Sequence, residues 1–120
     1  WWCLSRADRL NEEILKKMKK AGCHSIGMGV ENVDPEIIEK IRKNVDIQQI
    51  LNMVKMIHRY KMKVLLYFQF GLPGETRETM QNTLNFALKS GRPCYLWCCD
   101  TCARYRVLRV YQREQLFYYK

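Results

Sequence analysis

The sequence predicts an α/β fold in which parallel β-strands alternate with α-helices. Over residues 1–90, short apolar runs alternate with segments whose apolar residues recur at helical spacing. The run at 64–70 is apolar at nearly every position, which is typical of a strand covered on both faces in a parallel sheet. Because such strands are joined by right-handed crossovers, their carboxyl ends gather at one rim, where proteins of this class bind ligands.

The first predicted strand and helix occupy residues 1–22. Trp1 to Leu4 is apolar and predicts the end of a strand, and a loop follows over 5–8. Asn11 is a favourable N-cap, with two glutamates after it in the first turn, where the helix dipole favours acidic side chains. Gly22 ends this helix, because glycine adopts the left-handed conformation that commonly closes a helix.

The second predicted strand, 25–32, delivers an acidic side chain to its carboxyl end. Alternation places the apolar residues 26, 28 and 30 on the core face and Gly27, Gly29 and Glu31 on the other. Two glycines in front of the acid leave room for a ligand against the backbone, with Glu31 at its edge. The alternative is that the glycines permit close packing and that Glu31 is the first solvated residue after the strand.

The remaining elements follow the same alternation. Asp34 and Asp46 predict the starts of two helices, the first reaching about Arg42, and residues 64–70 form the third strand. A type II turn at 73–74 and a helix capped by Thr76 follow, and this helix ends near residue 91. Three irregular stretches, 5–6, 31–32 and 71–74, thus follow strands, so we expect them to converge on a ligand.

Composition and charge restrict the class of protein. The chain has 120 residues and a net charge of +9, but the lysines at 16, 17, 19 and 20 belong to a predicted solvated helix face, so nucleic acid is not the expected partner. No apolar run is long enough to span a membrane. The chain lacks an initial Met and begins inside an apolar run, so we expect a fragment of a longer protein. Without an export signal, its six cysteines predict reduced thiols and a cytoplasmic location.

Three groups of residues occur in the order and spacing of a known family. They are Trp2-x-x-Ser5-Arg6-Ala7-Asp8, then Lys19-Lys20-Ala21-Gly22-Cys23 leading to Gly29-Val30-Glu31-Asn32, and finally Gly71-Leu72-Pro73-Gly74-Glu75-Thr76. Over residues 1–90 the chain resembles the radical S-adenosylmethionine (radical SAM) superfamily, and within it the large group whose members often carry an upstream cobalamin-binding domain. The resemblance implies strands three to five of a partial (βα) TIM-like barrel.

The resemblance also implies cofactors and site residues. In this family a [4Fe-4S] cluster reductively cleaves SAM to a radical that abstracts hydrogen from a substrate. By position, Glu31 is similar to the polar residue that hydrogen-bonds bound SAM, and Lys43 to a downstream basic residue that pairs with the SAM carboxylate. The alternative for Lys43 is an ordinary lysine at a helix C-terminus, favoured by the dipole. Further candidates for cofactor binding are Arg6, Gly27, Gly29 and Gln69.

The chain departs from the family in two ways. The cluster motif Cys-x3-Cys-x2-Cys is missing, since Cys94 and Cys98 fit its first two positions but the third falls on Thr101. Cys99-x2-Cys102 is a lone pair and a weak zinc signal, so we assign no metal ligand and expect the cluster ligands outside the chain. Residues 91–120 do not match the family's sixth strand, and we interpret them as an atypical Cys-, Arg- and Tyr-rich tail, either frameshifted or disordered.

The sequence therefore predicts a fragment of a radical SAM enzyme that contributes part of the SAM pocket and is inactive by itself. Its domain boundary is predicted at residue 90. Its expected partners are the remainder of the parent chain and a small-molecule substrate of unknown identity, and cobalamin is left open as an additional cofactor of the full-length protein. The alternatives are a non-catalytic scaffold domain of the same fold and a small basic module that stacks nucleic-acid bases on tyrosines of the tail.

Overall fold

The computed structural model describes residues 1–43, 46–90, 94–98, 106–110 and 116–118. A single 3-10 turn, Ala7–Arg9, follows the first strand within these ranges. The strands are β1 (Trp2–Ser5), β2 (Ser25–Glu31), β3 (Lys63–Phe70), β4 (Cys94–Cys98), β5 (Arg106–Val110) and β6 (Leu116–Tyr118). The helices are α1 (Glu12–Lys20), α2 (Pro35–Lys40), α3 (Ile47–Arg59) and α4 (Arg77–Lys89).

The strands form one sheet in the order β1-β2-β3-β4-β5-β6. The pairs β1–β2, β2–β3 and β3–β4 are all parallel, with helices in the connections, so the predicted α/β fold with alternating strands and helices is confirmed. Strands β5 and β6 are antiparallel to their neighbours. Among the described strands, β1 pairs only with β2 and forms one edge of the sheet.

The tail contributes strands that the sequence analysis does not anticipate. Cys94–Cys98 adds a fourth parallel strand beside β3, in the position where the family resemblance expects the next strand of the barrel. Cys99 and Cys102, the pair considered for zinc, lie outside the described residues. The boundary at residue 90 and the frameshift remain predictions.

Side-chain caps define where the four helices begin. Each N-cap side chain accepts a hydrogen bond from a backbone N–H in the first turn, which satisfies a donor that has no partner within the helix. In α4 the arrangement is reciprocal, because Thr79 Oγ1 also accepts from the Thr76 N–H. The capping residues are those predicted from the sequence: Asn11, Asp34, Asp46 and Thr76.

Three of the helices end in the same turn, which reverses the direction of the chain. After α1, α2 and α3, the next residue but one is left-handed, with φ of 84° at Gly22, 53° at Arg42 and 54° at Lys61. The following N–H donates five residues back, as Lys43 N does to Ile38 O at 3.1 Å, which defines a Schellman motif. Glycine is favoured at this position, yet two of the three helices have a basic residue there.

The core lies between the helices and one face of the sheet. Residues 26, 28 and 30 of β2 are fully buried there, as predicted, together with Leu66 and Phe68 of β3. Full burial of each such side chain stabilises the fold by roughly 1.5–3 kcal/mol. Apolar residues at helical spacing predict an inner face of α4 made of Met80, Leu84, Ala87 and Leu88. This prediction is partly wrong, because Leu88 is 51% exposed whereas Thr83 is fully buried. Likewise Ile14, which belongs to the apolar stripe predicted for α1, is 37% exposed.

The face of the sheet opposite the helices is apolar away from the carboxyl rim. Leu4, Gly27 and Tyr67 lie side by side on this face, and the ring of Tyr67 stacks on that of Tyr95 with centroids 5.2 Å apart. Partial burial raises the pKa of the Tyr67 hydroxyl.

Within the described part of the chain, the helices are too short or too polar to cross a membrane.

Candidate functional site

The candidate site begins where β2 ends, at a residue with a strained backbone. Glu31 has φ of 64°, and the Asn32 N–H donates to Val30 O at 2.9 Å, so Glu31 is the central residue of a γ-turn. The pairing with β3 shifts by one residue between Gly29 and Glu31. A left-handed conformation costs a non-glycine residue about 1–3 kcal/mol. The turn folds the Glu31 carboxylate back over Gly29.

Lys43 approaches this carboxylate from the end of α2. Its Nζ donates to Glu31 Oε1 at 2.9 Å and to Gly29 O at 2.7 Å, and the lysine side chain is only 10% exposed, against 31% for that of Glu31. The sequence alone suggests that the helix runs away from Glu31. The Schellman turn at Arg42 is what reverses the chain and returns Lys43 to the rim of the sheet.

The pair lies in the wall of a cavity of about 260 Å³ at the carboxyl rim of the sheet. Its volume is below the roughly 300–1,000 Å³ typical of sites that enclose a drug-sized ligand, so it suits one end of a ligand. Three cations and one carboxylate line it, which favours a group that carries both charges. The lining residues are Arg6, Glu31, Ile41, Arg42, Lys43 and Gln69.

Arg6 is oriented by its own loop. Its Nε and Nη2 each donate to the Asp8 carboxylate at 2.9 Å, a bidentate pair of which Arg6 is 51% and Asp8 27% exposed. The guanidinium holds the pKa of the Asp8 carboxyl below its ordinary value, chiefly through these hydrogen bonds.

The structure brings together in this cavity four of the six residues proposed from the sequence to bind cofactor, namely Arg6, Glu31, Lys43 and Gln69. Their roles in binding remain predictions.

The two glycines proposed with them have different surroundings. The space over Gly27 is occupied by Leu4 and Tyr67, because a Cβ there would lie 2.5 Å from Leu4 Cδ2 and 2.8 Å from Tyr67 Cε2. The space over Gly29 is occupied by the Glu31 carboxylate, and a Cβ on Gly29 would lie 3.3 Å from Lys43 Nζ. Of the two, only Gly29 is in contact with polar groups of the cavity.

Behind the Glu31 turn lies a set of polar contacts that the sequence analysis missed. The fully buried Asn32 donates through Nδ2 to Glu75 Oε1, and its Oδ1 accepts from the Asp34 N–H and the Thr83 hydroxyl. Asn32 and Glu75 both occur in the motifs of the resemblance, but their contact spans 43 residues. The occurrence of both motifs in one chain is the signal that could have indicated it.

A larger cavity of about 650 Å³ opens between α2 and α3 and shares Lys43 with the first. Val33, Ile38 and Ile47 give it an apolar lining, and its charged lining is otherwise acidic, from Glu39 and Asp46. It contains none of the other residues proposed from the sequence. We therefore place the candidate site in the smaller cavity, whose charges match a zwitterionic group.

The described residues do not fit an iron–sulfur cluster. Such a cluster needs several thiolates close together, and the described part of the chain has no group of three or more Cys, His, Asp or Glu that could hold a metal. Cys3, Cys23 and Cys94 are thiols that form no disulfide, and burial raises the pKa of the Cys94 thiol, which disfavours its thiolate. Ligands of such a cluster would therefore lie outside the described residues.

Four parallel strands joined by helical crossovers, with a polar cavity at their carboxyl rim, are the arrangement found in α/β proteins of the barrel class. The chain belongs to the radical SAM superfamily, whose model matches residues 3–87. The superfamily predicted from the three motifs is therefore confirmed.

Named relatives include methyltransferases. The chain is 38% identical over 89 residues to the uncharacterized methyltransferase PH0819 of Pyrococcus horikoshii, covering 74% of this chain and 19% of that protein. It is 27% identical over 90 residues to tryptophan 2-C-methyltransferase of Streptomyces laurentii, covering 70% of this chain and 15% of that protein. The chain thus spans less than a fifth of the length of these relatives.

The fold is similar to that of the radical SAM methyltransferase TsrM from Kitasatospora setae. One TsrM structure, with tryptophan and a SAM analogue bound, has a TM-score of 0.70 at 20% identity, over 79% of this chain and 19% of that chain. Another, with cobalamin and a [4Fe-4S] cluster bound, has a TM-score of 0.69 at 20% identity, over 80% of this chain and 20% of that chain. At this identity the likeness concerns the fold.

Proposed function

We propose that this chain is part of a radical SAM enzyme and forms the section of its pocket that binds the amino-acid end of SAM. The observation that carries the proposal is the Glu31–Lys43 pair over Gly29, placed in one cavity with Arg6 and Gln69. Superfamily membership supplies the ligand, and the geometry of this chain supplies the residues.

The charges of the cavity complement those of the ligand. The methionyl end of SAM carries an ammonium and a carboxylate, and Glu31 engages Lys43 through Oε1, so its Oε2 is the acceptor assigned to the ammonium. The ligand's carboxylate would be received by Lys43 and Arg6, since hydrogen bonds between charged groups are the stronger class. Gln69 of β3 adds a neutral polar group to the wall.

The remaining parts of the pocket would come from elsewhere in a longer protein. When bound beside a reduced cluster, SAM supplies the reactive group for radical chemistry or methyl transfer. The cluster ligands are assigned outside this chain, and a cobalamin cofactor is proposed by analogy with the TsrM structure that contains one. The small-molecule substrate would enter from the side of the sheet that lies opposite the helices.

The side of the sheet opposite the helices is also the surface proposed for contact with the remainder of the parent chain. Trp2 and Leu4 of the edge strand are 57% and 64% exposed, which is unusual for large apolar side chains on neighbouring positions of a strand face. A barrel wall contributed by other strands would cover them. The chain alone is expected to be catalytically inactive, because it lacks the Cys-x3-Cys-x2-Cys motif that would bind the cluster.

The proposal can be tested by titrating SAM into the full-length product of the source gene. The protein is first reconstituted anaerobically with iron and sulfide. Glu31→Gln and Lys43→Met should each weaken SAM binding by about 10- to 100-fold, since hydrogen bonds to charged groups contribute roughly 1.5–3 kcal/mol. Lys55→Met, on the exposed face of α3, is the matched control and should bind SAM normally.

Unchanged affinity in both site variants would reject this pocket. The same preparation separates the enzyme from the scaffold alternative. A bound cluster together with release of 5′-deoxyadenosine supports the enzyme, whereas a folded protein with neither supports a scaffold. The nucleic-acid alternative predicts a salt-dependent gel shift with single-stranded oligonucleotides, and no shift at low salt rejects it.

A further inference from the structure

We propose that Asn32 and Glu75 are positioning residues, which together hold the Glu31 turn in the geometry that binds the ligand. This inference rests on the proposed function for the identity of the ligand, which is SAM. The Asn32–Glu75 contact, called the clamp below, links the end of β2 to the loop that follows β3.

Asn32 uses its side-chain amide in both directions while fully buried. Its Oδ1 accepts from the Asp34 N–H at 2.9 Å and from Thr83 Oγ1 at 3.2 Å, and its Nδ2 donates to Glu75 Oε1 at 2.5 Å. An asparagine is suited to this position because it both donates and accepts, whereas an ionised aspartate only accepts. Buried polar groups need such partners, since an unsatisfied one is costly.

Glu75 completes the link on the side of β3. Its Oε2 accepts from the Gly71 N–H at 2.6 Å and from the Leu72 N–H at 3.0 Å, which fixes the loop over 71–75. One carboxylate thus joins the exits of two neighbouring strands. Its two oxygens are used separately, one for the turn after β2 and one for the turn after β3.

The clamp acts on Glu31 through its neighbour in the chain. Glu31 is held in the left-handed region, and a strained conformation persists only where surrounding contacts over-determine it. Within the described residues, the backbone bond that closes the γ-turn is donated by Asn32 itself, at 2.9 Å to Val30 O. Anchoring the Asn32 side chain therefore fixes the donor that keeps Glu31 folded over Gly29 and beside Lys43.

A swap of donor and acceptor tests the clamp in the full-length protein. Asn32→Asp places two carboxylates against each other, and Glu75→Gln directs an amide N–H₂ at another donor, so each should weaken SAM binding by about tenfold or more. In the double variant, the new amide at position 75 donates to the new carboxylate at position 32, and its carbonyl accepts from Gly71 and Leu72. Affinity should then return to within about threefold of the unsubstituted protein.

Amide hydrogen exchange at residues 31–34 supplies a readout that does not depend on SAM. Exchange there should accelerate in each single variant and slow again in the double variant. Ile50→Val, which trims a fully buried side chain of α3, controls for lower stability and should change neither this exchange nor SAM affinity. If Asn32→Asp fails to fold, Glu75→Gln and the double variant carry the same comparison.

Two results would overturn the inference. One is unchanged SAM affinity and unchanged local exchange in both single variants, and the other is a double variant no better than the singles. A different result would overturn the proposed function instead, namely normal SAM binding in Glu31→Gln and Lys43→Met. In that case the exchange measurement still decides whether the clamp holds the turn.

Discussion

The two glycines of β2 lie on the same face of the same strand, two residues apart, and their surroundings are opposite. Over Gly27 lie the apolar side chain of Leu4 and the ring of Tyr67. Over Gly29 lie the Glu31 carboxylate and Lys43 Nζ. This face of the sheet therefore changes from apolar packing to a charged cavity over two residues of the strand.

The difference teaches that one residue type serves two purposes in a single motif. At Gly27 the missing side chain lets the neighbouring strands β1 and β3 bring Leu4 and Tyr67 together over β2. At Gly29 it lets a carboxylate fold back onto the backbone of its own strand, with the Gly29 carbonyl bound by Lys43. Substitution at the two positions should accordingly damage different properties.

The largest effect is expected for Gly29→Ala. The new Cβ would collide with Glu31 Oε1 and crowd Lys43 Nζ, so the ion pair would have to move. We expect SAM affinity to fall by about 100-fold, which corresponds to roughly 2.7 kcal/mol, measured by calorimetric titration of the full-length protein. Normal binding by this variant would show that Gly29 is not part of the pocket.

Gly27→Ala should instead reduce stability and leave SAM affinity within about threefold of normal. Its Cβ would lie 2.5 Å from Leu4 Cδ2 and 2.8 Å from Tyr67 Cε2. Because Leu4 is 64% exposed and can move, the cost should fall at the lower end of the range for overpacking, about 1 kcal/mol. Denaturant unfolding measures the loss. Adding Leu4→Ala should recover part of it, because the nearer of the two contacts is removed, and failure to recover any would contradict this packing account.

A smaller, stabilising effect is expected at a helix end away from the cavity. Lys61 adopts φ of 54° in the turn after α3, where glycine carries no Cβ penalty. Relief of the left-handed conformation, worth roughly 1–2 kcal/mol, outweighs the entropy cost of glycine of roughly 0.5–1 kcal/mol, so Lys61→Gly should raise the free energy of unfolding by about 0.5 kcal/mol and leave SAM affinity unchanged. Arg42→Gly relieves the same conformation beside the cavity, so it should gain similar stability but alter binding. Equal binding effects in the two variants would contradict this distinction.

The smallest effect concerns pH. The Arg6 guanidinium lowers the pKa of the Asp8 carboxyl in the folded state, so this pair stabilises the fold above the ordinary Asp pKa. That contribution is lost as pH falls through the lowered value. Arg6→Gln should raise the pKa of Asp8 toward its ordinary value and flatten the acid limb of the stability profile, as followed by NMR titration. An unmoved Asp8 pKa would exclude the pair as its cause.

Much of the fold could be predicted because its signals are local. Asn11, Asp34, Asp46 and Thr76 cap helices through contacts within four residues. The apolar run of β3 predicts its parallel pairing, but the expected burial on both faces is wrong for the described residues, because 64, 66 and 68 are buried whereas 65, 67 and 69 are only partly buried. The inner face of α4 was less predictable, because Thr83 replaces an apolar residue there by hydrogen-bonding to the buried Asn32.

The candidate site was predictable only in part. Glu31 could be placed by the alternation of β2, although its final orientation depends on a γ-turn that no residue type announces. Lys43 could not be placed from the pattern, because the chain reverses at Arg42 and arginine is not the residue expected in that conformation. The Asn32–Glu75 contact joins residues 43 apart and needs the three-dimensional order of the strands.

The outer edge of β1 has a consequence for handling the protein. Its backbone N–H and C=O groups on the side away from β2 form a template to which another extended segment can hydrogen-bond, and Trp2 beside it is 57% exposed. In the longer protein proposed above, a further strand of the barrel would cap this edge. When residues 1–120 are produced by themselves, copies would pair there instead, so the yield of dispersed protein should rise when the proposed remainder of the barrel is produced together with this segment.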